Sequence, residues 1–376
     1  MKSRIIKLPF KVKKTILALG SSTKNTLCLG KGRYAYLSPL HPDLNNFPDF
    51  QEFEKDVKYF LKKGPRIIAY DMHPDYPSSR VAKQLDAKRY RLCPVQHHHA
   101  HIVSCMLENA LPDQLVIGVA FDGTGLGPGD QLWGGEFLIC DYRASNRRAH
   151  IKEIPLLGGE KAIGEPWRVA AAWLYQAYQE KFLNLKVDFI KSLDKNKWRV
   201  LKQMQASSVN APLSSSMGRL FDAVAALILN RQQAHFEAEL AIELEKTAAG
   251  SPLESAGYPF EMERHKTGFV LNPVPMFKQI VADLKRGEAK EKMAYRFHMT
   301  AAEMIRKTCV VLRKENRLKR VVLSGGVFQN RILLQRSGEL LQEEGFTVFA
   351  HREVPAGDAG ISLGQVAIAD RSSLCA

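Results

Sequence analysis

Four of the five residues at positions 97–101 are histidines, in the run Val95-Gln96-His97-His98-His99-Ala100-His101. A helix turns ~100° and rises ~1.5 Å per residue, so positions four apart share a face. His97 and His101 therefore project together and can hold one transition-metal ion through neutral imidazole. His98 and His99 project elsewhere, as candidates to hydrogen-bond a substrate. Further on, an apolar strand-like run ends in Phe121-Asp122-Gly123-Thr124-Gly125, and Asp358 offers a distant second carboxylate. Two imidazoles and two carboxylates suit iron, zinc or manganese. A single histidine at a helix start is more simply a cap for free N–H groups; four together above a strand-end aspartate favour a site. The His-x-x-x-His spacing lacks the adjacent glutamate of a His-Glu-x-x-His metalloprotease, which argues against that chemistry.

Several glycine-bearing turns could hold an anion. In Asp122-Gly123-Thr124-Gly125 the glycines let backbone N–H groups approach without side-chain obstruction, and Gly134-Gly135 opens a second strand near the same edge. The run Val321-Val322-Leu323-Ser324-Gly325-Gly326-Val327-Phe328-Gln329-Asn330 takes a buried strand into a helix start, a natural phosphate cradle. It is neither a Walker loop nor Gly-x-Gly-x-x-Gly. Ser216 caps a helix carrying Gly218 and Asp222 in its first turns, where Asp222 could hold a ribose hydroxyl or merely favour the helix dipole. Lys24, in a polar loop, could reach a phosphate. Gly158-Gly159-Glu160-Lys161 and Glu165-Pro166-Trp167-Arg168 could line a cleft.

The elements that must position these residues alternate between strands and helices. Strands are expected at Thr15–Gly20, Leu27–Leu29, Tyr34–Leu37, Arg66–Tyr70, Arg91–Val95, Leu115–Phe121, Arg320–Leu323 and Thr347–Phe349. Helices are expected at residues 50–63, 78–85, 97–109, 166–182, 218–230, 234–249 and 295–314. Residues 251–292 mix loop and hairpin signals. The pattern predicts an α/β fold with mixed sheets in two similar lobes. The division expected is a linker over 1–14, a first lobe over 15–155 with the histidines, and a second over 156–376 with the nucleotide loops, the last helix being able to pack back on the first lobe.

Composition narrows the function class. The 376 residues are 45% hydrophobic and 25% charged, an ordinary globular balance, and no apolar run reaches the length of a membrane span. Six scattered cysteines without Cys-x-x-Cys indicate neither a zinc finger nor a disulfide framework, and fit a reducing, cytoplasmic location. The net charge is +15, but residues 1–66 alone hold 14 Lys and Arg against 5 Asp and Glu. The basic cluster Lys11, Lys13, Lys14 lacks interleaved aromatics, which weighs against nucleic acid as partner. Attraction to ATP or to an acidic protein explains the charge as easily.

Together, Leu19-Gly20 with Lys24-Asn25-Thr26, His73-Pro74-Asp75-Tyr76, residues 95–101, 119–125, 133–137, 216–227, 323–330 and 355–365 resemble the C-terminal part of the HypF carbamoyltransferases of NiFe-hydrogenase maturation. The resemblance implies the two-lobed actin/sugar-kinase/Hsp70 ATPase-like fold, related to tRNA threonylcarbamoyltransferases. It implies that His97, His101, Asp122 and Asp358 bind a divalent metal, iron or zinc, with magnesium a further candidate ion. Gly218, Asp222, Gly325, Gly326 and Asn330 would bind ATP, AMP or carbamoyl-adenylate. The implied reaction moves the carbamoyl group from carbamoyl-adenylate to the C-terminal cysteine of HypE, with His98 or His99 as base for the thiol. No cysteine of this chain is needed. Alternatives are a tRNA threonylcarbamoyltransferase-like enzyme and a nucleotide-binding scaffold that docks HypE without turnover. The acylphosphatase, zinc-finger and carbamoyl-adenylate synthase domains that precede this region in full HypF proteins have no counterpart here, so a trimmed or naturally split protein is expected, with the synthase supplied separately. Two departures stand out: Ala356-Gly357-Asp358-Ala359-Gly360 replaces the usual Asn-Asp-Gly-Gly, and Gly164 stands where many relatives carry arginine.

Overall fold

The computed structural model describes residues 4–207, 209–250 and 256–371. Two mixed sheets organise them. The first runs in the order Arg4–Lys7, Tyr34–Leu37, Cys28–Lys31, Ile16–Ala18, Ile67–Asp71, Arg91–Val95. Its first three neighbour pairs are antiparallel and its last two parallel. The second sheet repeats that grammar. Ser145–Ile151, Leu132–Cys140 and Val116–Leu126 form an antiparallel meander, and Arg320–Ser324 and Thr347–Phe349 extend it in parallel. The hairpin Glu261–His265 and Gly268–Asn272 is added at the far edge.

This arrangement moves two of the expected boundaries. Residues 4–7 are an edge strand paired with residues 34–37, with Ile6 and Leu8 buried, so they are part of the fold and not a linker. The two sheets divide between Val95 and Val116, not near residue 155. Strand Val116–Leu126 hydrogen-bonds to its hairpin partner and to Arg320–Ser324, which ties it to the later lobe.

Between the sheets lie the helices His97–Glu108 and Ile361–Arg371. Every residue from His97 to Leu107 is buried. In the last helix, Ile361, Leu363, Val366 and Ile368 share a core with Ile16, Ala18, Ile67 and Ile102. Each fully buried aliphatic side chain of that size contributes about 1.5–3 kcal/mol. The two helices cross at a glycine. A Cβ on Gly364 would lie 2.0 Å from the Ala100 carbonyl oxygen, so only glycine allows this approach.

The expected helices form with shifted ends, for example Phe47–Leu61 and Met217–Leu229. Residues 234–249 shorten to a helix over Glu239–Ala248, because Ala238 is left-handed. Within the stretch that gave mixed signals, residues 251–255 lie outside the described residues. The remainder holds the edge hairpin and then the helix Val274–Lys285, which Pro273 and Pro275 start rather than prevent. Among the described residues no helix is long and apolar enough to cross a membrane.

Candidate metal centre and nucleotide cleft

The histidine helix begins where parallel pairing leaves it. Asp71 lies beside Val95 in register, so the carboxylate ending one strand stands next to the helix that follows the other. Gln96 caps the helix by accepting the His99 amide at 2.8 Å. His97 and His101 then point their Nε2 atoms at Asp122 Oδ2, at 3.2 and 3.3 Å. Asp358 Oδ1 completes the group at 3.8 and 3.7 Å from the same two nitrogens. One ligand atom from each of the four residues lies within 4.8 Å of the others. Two imidazoles and two carboxylates, gathered from three distant segments, are a donor set that fits a divalent iron or zinc ion.

The supporting contacts have the form that metal ligands require. His97 Nδ1 is 2.7 Å from Asp71 Oδ2, which leaves Nε2 for an ion. The Gly326 amide donates to Asp122 Oδ1 at 2.9 Å, and a Cβ on Gly326 would lie 2.8 Å from that oxygen. Ser21 Oγ donates to Asp358 Oδ2 at 3.0 Å. Burial pulls the His97 and His101 pKa values down, but Asp71 and Asp122 respectively outweigh it, and both end above the ordinary range. Burial alone would raise Asp122; the charge of His101 and the hydrogen bonds from both histidines hold it well below the usual carboxylate range.

His98 and His99 do not join this group. His99 Nε2 donates to the Asp141 carbonyl at 2.6 Å. Two helical steps from His97 turn it ~200° away, toward the neighbouring strand. The His98 ring lies against Gly125 beside Trp133, with Nδ1 3.1 Å from Gln96 Nε2. Burial and the charge of His97 push its pKa far down, so it is neutral. Neither ring lines the cleft. The structure thus corrects the expectation that one of them meets the substrate.

A cavity of about 440 Å3 opens directly beside the metal group, between the lobes. Of the expected nucleotide contacts, Lys24, Gly123, Gly218, Asp222, Gly326 and Asn330 line it, together with Asp122 and Asp358. Gly218 lets the helix start close on the Asp122 loop, since a Cβ there would lie 3.0 Å from the Gly123 Cα. Asn330 spends its side chain on structure: Oδ1 caps the following helix at Leu333 and Nδ2 lies 2.8 Å from His298 Nε2. Lys24 Nζ lies 3.3 Å from Glu237 Oε2, an exposed ion pair across the mouth.

Gly125, Gly134, Gly135, Ser324 and Gly325 lie outside the cavity wall. The Gly134 and Gly135 amides both donate to Glu136 Oε1, at 3.1 and 3.2 Å, so they are not available to a phosphate. Gly125 makes room for the histidine rings. Ser324 Oγ donates to the His101 carbonyl at 2.9 Å, steadying the metal helix. Gly325 is left-handed, with φ 105°, and passes so close to the Phe121 carbonyl that a Cβ would overlap it.

Sequence reasoning did not single out Asp71, Arg219 or Tyr76 as site residues. Arg219 is nearly fully buried, with Nη2 2.9 Å from Asp222 Oδ2. Burial raises the Asp222 pKa against the pull of Arg219. A second cluster, Cys105, Glu108 and His351, has its carboxylate occupied by the amides of Arg352, Glu353 and Val354, and so serves as a loop anchor.

Comparison with known proteins accounts for nearly the whole chain. Residues 118–365 match the family model described as "Carbamoyltransferase, Kae1-like Domain, second subdomain", and residues 11–108 match "HypF Kae1-like domain". The division between those matches coincides with the division between the sheets. Carbamoyltransferase HypF2 of Cupriavidus necator is 34% identical over 94% of this chain and 46% of its own length. Carbamoyltransferase HypF of Synechocystis is 32% identical over 96% and 48%. A Carbamoyltransferase HypF homolog of Cupriavidus necator is 35% identical over 96% of this chain and 93% of its own. The crystal structure of full-length HypF in its phosphate- and nucleotide-bound form superposes with a TM-score of 0.91 at 38% identity, covering 97% of this chain and 47% of that one. Thus the chain spans about half the length of most of the relatives it matches, and it belongs to the HypF carbamoyltransferase family.

Proposed function

We propose that this chain performs the transfer half of carbamoyl chemistry in hydrogenase maturation, in the cytoplasm. Carbamoyl-adenylate, made by a separate synthase domain or protein, enters the cleft and is consumed by the C-terminal cysteine of HypE. The observation that carries this reading is the group of His97, His101, Asp122 and Asp358, whose two aspartates line a cavity that also holds Gly218 and Asp222. The phosphate- and nucleotide-bound form of full-length HypF supports a nucleotide in the equivalent cleft.

His97, His101, Asp122 and Asp358 would hold the ion. A divalent metal supplies Lewis-acid polarisation of a carbamoyl or phosphate oxygen. Asp71 and Gly326 fix the orientation of its ligands. Asp222 and Gly218 face the adenosine side of the cavity. In the transfer step the cysteine sulfur forms a bond to the carbamoyl carbon. The bond from that carbon to the phosphate oxygen breaks, and AMP leaves with the electron pair. The thiol proton departs to solvent, since neither His98 nor His99 reaches the cleft.

Intact-mass measurement of HypE tests this, after incubation with the chain, ATP and carbamoyl phosphate, with and without added synthase. A carbamoyl adduct on the terminal cysteine only when synthase is present is the expected result. No adduct in either tube, with metal bound to the chain, would leave a docking scaffold or a tRNA-modifying enzyme as the better account.

A further inference from the structure

The motif His73-Pro74-Asp75-Tyr76 has no part in the chemistry described so far. Its loop leaves the strand end at Asp71, whose carboxylate divides between two partners. Oδ2 meets His97 Nδ1 at 2.7 Å, and Oδ1 accepts the His73 amide at 2.8 Å. The His73 ring stacks on Tyr76 with centroids 4.1 Å apart and planes 4° apart. Asp75 closes the turn by donating its amide to His73 Nδ1 at 3.2 Å. Behind the loop, Ser79 Oγ donates to the Asp71 carbonyl at 2.8 Å, which ties in the helix Pro77–Gln84. A short chain of contacts thus runs from a metal ligand to Tyr76. That residue lines the same cavity as Asp122 and Asp358.

We propose that Tyr76 is a catalytic residue, its phenol O–H donating a hydrogen bond to the carbamoyl oxygen as that oxygen gains negative charge. The inference rests on the carbamoyl-transfer reading. As the sulfur forms its bond, the carbonyl π pair moves onto oxygen; it returns as the bond to the AMP oxygen breaks, and AMP takes the leaving pair. The Tyr76 proton stays on the phenol throughout. Of the cationic groups on the wall, Lys24 pairs with Glu237 and Arg219 lies against Asp222. Burial and the carboxylates of Asp71, Asp358, Asp122 and Glu237 all keep the phenol protonated, which suits a donor and rules out a base.

The alternative is that Tyr76 only stacks on His73 to close the loop. Tyr76→Phe separates the two, because phenylalanine keeps the ring and removes the hydroxyl. Single-turnover transfer from carbamoyl-adenylate to HypE would be compared with metal content and AMP affinity for both proteins. Loss of one such donor lowers kcat by about 10²–10³-fold. The expected result is a fall of that order in Tyr76→Phe, with metal content, AMP affinity and Tm unchanged. Equal rates would overturn the catalytic role, and so would a fall matched by loss of metal or AMP. His73→Ala, which removes the stack, should cost Tm as well as rate. If the wild-type protein transfers nothing, the functional reading fails and this inference with it; if wild type turns over and Tyr76→Phe keeps pace, only this inference fails.

Discussion

The candidate metal group, through Asp122 and Asp358, and the first turn of the Met217–Leu229 helix line one cavity, yet their polar groups are satisfied in opposite ways. In the candidate metal group three of the four residues are held from behind: His97 by Asp71, Asp122 by the Gly326 amide, Asp358 by Ser21. At the helix start, Arg219 and Asp222 lie close enough for an ion pair but are poorly aligned. Arg219 Nε and Nη1 and Asp222 Oδ2 are buried without a hydrogen-bond partner. A metal group gains from ligands fixed in advance. A buried charge pair short of partners costs stability until something supplies them. One half of the cleft is therefore complete before its ligand arrives, and the other is completed by it.

Substitutions can break this contrast, and the largest effect belongs to the metal group. His101→Ala should reduce bound metal, read by elemental analysis, by more than the ~10–100-fold in affinity typical of losing an outer partner. Transfer activity should disappear with it. Asp222→Ala leaves the Arg219 charge buried and unpaired, and should destabilise the protein by about 3–5 kcal/mol in denaturant unfolding. AMP should then give a smaller rise in Tm than it gives the wild type. Asp71→Asn keeps the shape of the support but removes its charge; metal affinity should fall about 10–100-fold while AMP affinity holds.

Proton linkage sharpens the contrast further. In the metal-free protein His97 and His101 have pKa values raised above the ordinary 6.5, because the neighbouring aspartates outweigh burial. The resulting stabilisation is full below the unfolded value and is lost as pH rises through the raised folded values. Metal-free protein should therefore lose stability on going from pH 6 toward alkaline pH, as thermal unfolding in the presence of chelator would record. Over the same rise, metal affinity should increase, because the ion no longer competes with protons. A flat profile in both would show that the imidazoles do not titrate together with the site. The smallest effect is expected at the mouth of the cleft. Glu237→Gln removes an exposed ion pair with Lys24 and should change stability by less than about 1 kcal/mol.

The candidate metal ligands were legible because helical spacing and a strand-end aspartate are local signals, with Asp358 offered as a distant further carboxylate. Asp71 was not, since its importance arises from parallel pairing with Val95 across 24 positions of sequence. Gly134 and Gly135 looked like an anion loop because glycine marks exposed amides; that Glu136, the next residue, would take both amides depends on its rotamer. His99 could have been set aside from helix geometry alone, as it lies opposite the His97–His101 face. The repeated α/β grammar gave the two lobes. Their border was misplaced because the long hairpin over residues 116–140 follows the histidine helix directly, and only its pairing with Arg320–Ser324 assigns it to the other sheet.

The last helix has a consequence for how the molecule is made. A ribosome releases the first sheet and the histidine helix well before the side chains that cover them from residues 361–369. Gln365 also bonds both the amide and the carbonyl of Gly20. During synthesis the first lobe therefore waits with an open flank until the second lobe is built. The candidate metal group, which includes Asp358, is likewise complete only once residue 358 has been made.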